Sequence, residues 1–144
     1  MIGSKISSIE YFLPKIKKNN KIFKKNNPKV NINRIKEKTG INNRFISAEN
    51  ETVIDISIKA IKKILKKFPK KKIEFLILVT QTSSYRIPTT ACIIQNKLKL
   101  KKDIIAFDMN LGCSGFIYGL RMASSLIESK QVSNGLVICA DTYT

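Results

Sequence analysis

The run Gly112-Cys113-Ser114-Gly115 places a cysteine among small residues where an apolar strand must turn into a helix. Ile104-Ile105-Ala106-Phe107 before it reads as a short buried strand, and Phe116, Leu120, Ala123 and Ile127 after it share one helical face. Glycine on either side permits positive φ and lets a ligand approach the backbone. At a helix N-terminus, unpaired N–H groups and the dipole favour the thiolate, the nucleophilic form of cysteine. The pattern therefore marks Cys113 as a candidate nucleophile. Against it stands the ordinary use of a free cysteine as a small buried residue. That use is the expectation for Cys92, in a helix after Pro88, and for Cys139, in an apolar strand. Phe116 is expected to pack in the core, Ser114 to begin the helix, and Asp108 to end its strand with a structural hydrogen bond.

The three cysteines show no CxxC spacing and leave an odd count, and the chain has no histidine. Neither a zinc site nor a disulfide framework is suggested, and the commonest general base is missing. At 144 residues, 43% of them apolar, the chain fits one globular domain spanning residues 1–144. No signal-peptide pattern opens it, and its longest apolar run, Phe75 to Val79, is too short to cross a bilayer. A soluble cytoplasmic protein without membrane contact is expected. The net charge is +17, with 23 lysines against 4 arginines. The lysine runs are scattered over helix faces and loops, and the aromatics do not alternate with them. A nucleic-acid surface is therefore not expected. A diffuse positive field attracting an acidic protein partner fits better.

Ser4 to Glu10, ending at Leu13-Pro14, reads as a first strand, and Lys15 to Lys29 as an exposed helix-and-loop excursion. Asn31 can cap a helix from Ile32 to Lys38 that Gly40 stops, and Ile41 to Ile46 reads as a short strand or extended loop. Thr52 to Phe68 carries an apolar stripe of Ile54, Ile58, Ile61 and Leu65, with Pro69 ending the helix. Phe75 to Val79 is a strand covered on both faces. Pro88 opens a helix through about Leu98, and Leu136 to Ala140 is another buried strand. Strands alternating with helical crossovers predict an α/β fold with a mainly parallel sheet. Ligands bind at the carboxyl ends of such strands, where Cys113 and the loop Gln81-Thr82-Ser83-Ser84 both lie.

Five segments then carry a resemblance: Lys5 to Pro14, Lys38-Thr39-Gly40-Ile41, Ala48-Glu49-Asn50-Glu51-Thr52, Thr82-Ser83 through Ile87-Pro88-Thr89-Thr90-Ala91-Cys92, and Ala106-Phe107-Asp108 through Gly112-Cys113-Ser114-Gly115-Phe116. In this order and spacing they resemble the N-terminal half of β-ketoacyl-acyl-carrier-protein synthase III. The resemblance implies a thiolase-like fold: a mainly parallel or mixed sheet with flanking helices, one incomplete half of a two-fold repeat.

It also implies that Cys113 accepts an acyl group from an acyl-coenzyme A primer. The thioester would then condense with malonyl-acyl-carrier protein, losing carbon dioxide, in fatty acid biosynthesis. The Cys113 N–H would help bind the oxyanion. Thr39 and Lys38 match positions near the family's coenzyme A entrance. Lys38 stands where many relatives have arginine, which keeps charge without bidentate contact. A tryptophan that stacks on adenine in some relatives has no match; Arg34 lies near that position. No permanently bound cofactor is implied. The partners implied are acyl-coenzyme A, acyl-carrier protein and, in the complete protein, a second copy. In the family the decarboxylating histidine and asparagine come from the C-terminal half. The sequence is therefore expected to lack the full cycle alone, with a non-catalytic remnant or assembly subunit as the alternative.

Overall fold

The structure, a computed structural model, describes residues 3–143 of the chain and divides it into two compact units. One comprises the residues up to Phe12 together with Thr52–Tyr143, and the other comprises Leu13–Glu51.

In the smaller unit, β1 (Ile16–Asn19) pairs antiparallel with β2 (Asn43–Ile46), Ile16 opposite Ile46. Between them lie α1 (Lys21–Asn26) and α2 (Ile32–Thr39). Asn31 caps α2 as expected, its side chain accepting from Arg34 N at 3.1 Å. Gly40 ends α2 at φ 68°, the left-handed conformation that glycine adopts without a Cβ clash. Buried Asn20 donates to the carbonyl of Ile41 at 2.7 Å and accepts from the Arg44 guanidinium. That guanidinium lies 4.8 Å from the centre of the Phe23 ring. The strand at 16–19 corrects the reading of this stretch as helix and loop: Lys17 and Lys18 stand opposite Phe45 and Arg44 in an antiparallel ladder.

In the larger unit, β3 (Phe75–Val79) is central and buried throughout, as its unbroken apolar run requires. It pairs in parallel with β4 (Ile105–Met109) on one side and β5 (Gly135–Cys139) on the other, so that Met109, Val79 and Cys139 stand level. Alternate residues point to opposite faces. Leu76, Leu78, Leu136 and Ile138 pack with Ile54 and Ile61 of α3 (Val53–Ile64) and with Ala91 and Ile94 of α4 (Thr90–Lys97). Phe75 and Ile77, with Phe107 and Val137, pack with Ala123 and Leu126 of α5 (Gly115–Glu128).

Several expectations are corrected. Residues 3–14 form no strand and join neither sheet, and side chains contact them instead. Lys63 Nζ donates to the carbonyl of Tyr11 at 2.8 Å, Lys67 pairs with Glu10 at 2.6 Å, and Lys59 Nζ sits 4.7 Å from the Phe12 ring centre. α3 closes at Ile64, ahead of Phe68, and Pro69 instead precedes the 3-10 turn Lys70–Lys72. α4 begins at Thr90, two residues beyond Pro88.

The buried face of α5 is only in part the expected one: Ala123 and Ile127 pack against the sheet, whereas Phe116 does not. Gly115, Gly119 and Ala123 face the sheet, while Phe116, Ile117, Tyr118 and Met122 are 49%, 64%, 58% and 42% exposed. A helix this close to the sheet has room only for small residues: a Cβ on Gly119 would come within 3.1 Å of both Val137 and Val79. The stripe rotates accordingly, and Phe116 lies outside the core.

Candidate active site

Cys113 lies in the turn between the carboxyl end of β4 and the start of α5, with its thiol free and exposed. Ser114 occupies the cap position of α5 without a side-chain cap bond, and the turn closes by a 2.8 Å bond from Gly115 N to the carbonyl of Gly112. Neither glycine has positive φ; Gly40 alone among the described glycines does. They are small because side chains come up against them. A Cβ on Gly115 would stand 2.3 Å from Val79 Cγ1, and one on Gly112 would stand 2.8 Å from Gln81 Oε1. The bend into α5 is thus pressed onto the end of β3, and the glycines beside Cys113 serve close approach, not positive φ.

A cavity of about 320 Å³ opens here, lined in part by Cys113, Gln81, Phe116, Cys139, Asp141 and Tyr143. Two of these were missed in the sequence. Asp141 and Tyr143 directly follow β5, so the rule that pointed to the loops after β3 and β4 also covers them. Cys139, expected in the core, is exposed: it is the last residue of an outer strand, and its odd position in β5 turns it toward the α5 face and this cavity. Partial desolvation in the cavity, with the Asp141 carboxylate adding to it, pushes the Cys139 thiol above its ordinary pKa. The phenol of Tyr143 is pushed up as well, first by desolvation and then by Asp141 and Cys113. Cys92 is half-buried, its sulfur 3.8 Å from the carbonyl of Ala106.

Two aspartates position the loops. Asp108 of β4 accepts from Thr90 N and Ala91 N, each at 2.7 Å, one on each carboxylate oxygen. It therefore satisfies the free N–H groups at the start of α4, where Thr89 supplies no side-chain cap bond. Asp141 Oδ1 accepts from Gln81 N at 2.7 Å, Thr82 N at 3.1 Å, Thr80 Oγ1 at 3.0 Å and Thr82 Oγ1 at 3.1 Å. Tyr143 Oη donates to Gln81 Oε1.

Lys38 and Thr39 lie at the end of α2 in the other unit, both exposed. The Thr39 hydroxyl donates to the carbonyl of Ile35 at 2.7 Å and accepts from Ile41 N at 3.2 Å. Among the described residues, no helix is long and apolar enough to cross a membrane, and no group of three or more His, Cys, Asp or Glu side chains could hold a metal ion.

The family model for 3-oxoacyl-[acyl-carrier-protein] synthase III matches residues 107–144, the segment that holds Cys113 and β5. A β-ketoacyl-[acyl-carrier-protein] synthase III of Fusobacterium nucleatum is 42% identical over 112 residues, covering 76% of this chain and 34% of its own. Its counterpart in Acholeplasma laidlawii is 43% identical over 107 residues, covering 72% and 34%. A crystal structure of a 3-oxoacyl-(acyl-carrier-protein) synthase III superposes with a TM-score of 0.86 at 36% identity, covering 96% of this chain and 42% of that one. That of the Aquifex aeolicus protein gives 0.83 at 35% identity, covering 98% and 44%. The chain spans about a third of the length of the curated relatives it matches. Its α/β layers are those of the synthase III structures, and over part of their length the chain is similar to proteins of the 3-oxoacyl-[acyl-carrier-protein] synthase III family.

Proposed function

We propose that the chain is the nucleophile-bearing part of an acyltransferase of the synthase III type. The observation that carries this reading is the free, exposed thiol of Cys113 in a cavity at the carboxyl end of a parallel sheet, directly before a long helix. The Cys113 thiolate attacks the carbonyl of an acyl-coenzyme A, its backbone N–H helps hold the oxyanion, and coenzyme A leaves as the thiol. The malonyl group on acyl-carrier protein then loses carbon dioxide, and the resulting carbanion displaces Cys113 from the thioester to give a β-ketoacyl product. Lys38 and Thr39 serve the coenzyme A entrance. The complete protein works as a cytoplasmic homodimer, and the +17 charge favours an acidic carrier protein.

These 144 residues contain no histidine, so the decarboxylation step takes its acid–base groups from outside them. The outward apolar face of α5, Phe116, Ile117, Tyr118 and Met122, supports a complementing protein surface there. The same two observations favour a second reading, a non-catalytic remnant or assembly subunit. Incubation with an acyl-coenzyme A followed by peptide mass spectrometry separates them: the first reading expects a thioester on Cys113, and the second expects none. If the protein completed with its C-terminal half forms no thioester and tolerates Cys113→Ala, the acyltransferase assignment fails.

A further inference from the structure

We propose that Asp141 is the positioning residue of the Cys113 cavity. One oxygen of its carboxylate gathers the Thr80–Thr82 turn and thereby fixes the Gln81 side chain as the wall that limits what reaches the thiol.

Asp141 Oδ1 takes four donors, two backbone N–H groups and two hydroxyls, from three consecutive residues at 2.7–3.1 Å. The turn is also tied from the far side, since Thr82 Oγ1 accepts from Thr142 N at 3.0 Å. Thr80 N bonds to the carbonyl of Met109 at 3.1 Å, and Ala140 N to that of Val79 at 3.1 Å. The ends of β3, β4 and β5 are therefore stitched together beneath the cavity. Gln81 is exposed, and nothing in its own backbone dictates where its amide goes. With its N–H held at 2.7 Å by Asp141 and its Oε1 held by the Tyr143 hydroxyl, the side chain lies against Gly112, beside the nucleophile. Within the turn, Thr82 N also donates to Thr80 Oγ1 at 3.1 Å. The clamp adds the ties from across the sheet.

The role rests on the acyltransferase reading only for the identity of the ligand, an acyl thioester. The wall itself is testable without it. Cys113 in the full chain is alkylated with a small reagent, iodoacetamide, and a bulky one, N-(1-pyrenyl)maleimide, and the two rates are read from the Cys113 peptide. The ratio of small to bulky measures the wall and cancels changes in thiol reactivity common to both reagents. Asp141→Ala is expected to lower this ratio about tenfold, equivalent to about 1.4 kcal/mol of lost discrimination. Asp141→Asn keeps an acceptor oxygen in place and is expected to restore it. Gln81→Ala removes an exposed side chain without disturbing the core and is expected to reproduce the loss, so the outcome does not depend on Asp141→Ala folding. A wild-type ratio in Gln81→Ala, or a ratio as low in Asp141→Asn as in Asp141→Ala, overturns the proposal. Acylation by acyl-coenzyme A is scored separately: its absence alongside the expected ratios removes the acyltransferase reading and leaves the clamp standing.

Discussion

Gly115 and Val79 are in contact so close that a Cβ on the glycine would stand 2.3 Å from the valine Cγ1, at the point where α5 meets the end of β3. Gly115→Ala is therefore expected to destabilise the larger unit by about 1–3 kcal/mol, as overpacking of a close-packed site does. Because the shift is forced at the base of the Cys113 turn, alkylation of that thiol should change as well. Chemical denaturation and Cys113 labelling measured on the same variant check both; an unchanged midpoint would mean the helix can simply ride outward.

The carboxylate of Asp108 holds two N–H groups of α4. Asp108→Ala leaves both without that partner and is expected to cost about 1–2 kcal/mol, the upper range for loss of a helix cap. Amide hydrogen exchange at Thr90 and Ala91 should accelerate more than at Ile94, which lies deeper in the helix.

Thr52 and Asp55 cap α3 reciprocally: Thr52 Oγ1 accepts from Asp55 N, and Asp55 Oδ2 accepts from Thr52 N at 2.9 Å and from Thr52 Oγ1 at 2.7 Å. These bonds hold the Asp55 pKa below the ordinary carboxylate value. A depressed folded-state pKa stabilises above the unfolded value, and that stability is lost as pH falls through the folded one. Thr52→Ala is expected to cost about 1 kcal/mol near neutral pH and to flatten the stability profile in the acid limb, where the wild-type chain loses this contribution. Denaturation midpoints measured from pH 7 downward decide it.

The Cys139 thiol is raised first by partial desolvation and then by Asp141. A raised thiol has less thiolate at a given pH, so Cys139 should react with iodoacetamide more slowly than a thiol in an unfolded peptide. Asp141→Asn should move its labelling profile to lower pH. In linkage terms this thiol favours the folded state below its unfolded pKa and loses that effect as pH rises through the folded one. A labelling profile for Cys139 that is identical in wild type and variant would remove Asp141 from the explanation.

Much of this was legible because local chemistry decided it. Asn31 and Gly40 bracket α2, Thr52 opens α3, and the unbroken run Phe75 to Val79 demanded a strand with both faces covered. Cys113 stands out in the sequence through its small neighbours. What escaped depended on contacts distant in sequence. Phe116 satisfies helical periodicity, but the close approach of α5 to Val79 and Val137 selects Gly115 and Gly119 for the buried side. Residues 4–10 have strand-like alternation, yet a strand exists only where another backbone offers a ladder. Asp141 was not singled out in the sequence, and only the folded sheet brings the Thr80–Thr82 turn to its oxygen. Its partners lie about sixty residues earlier, a separation that no window along the chain can span.

The side of α5 that carries Phe116, Ile117, Tyr118 and Met122 has a colloidal consequence. In dilute buffer two such greasy faces belong to molecules that each bear +17, so mutual repulsion delays their meeting. Concentrated salt shortens the reach of that repulsion to about 3 Å at 1 M, while leaving the hydrocarbon as adhesive as before. Purification that begins with a high-salt wash is thus the step at which this chain would drop out of solution.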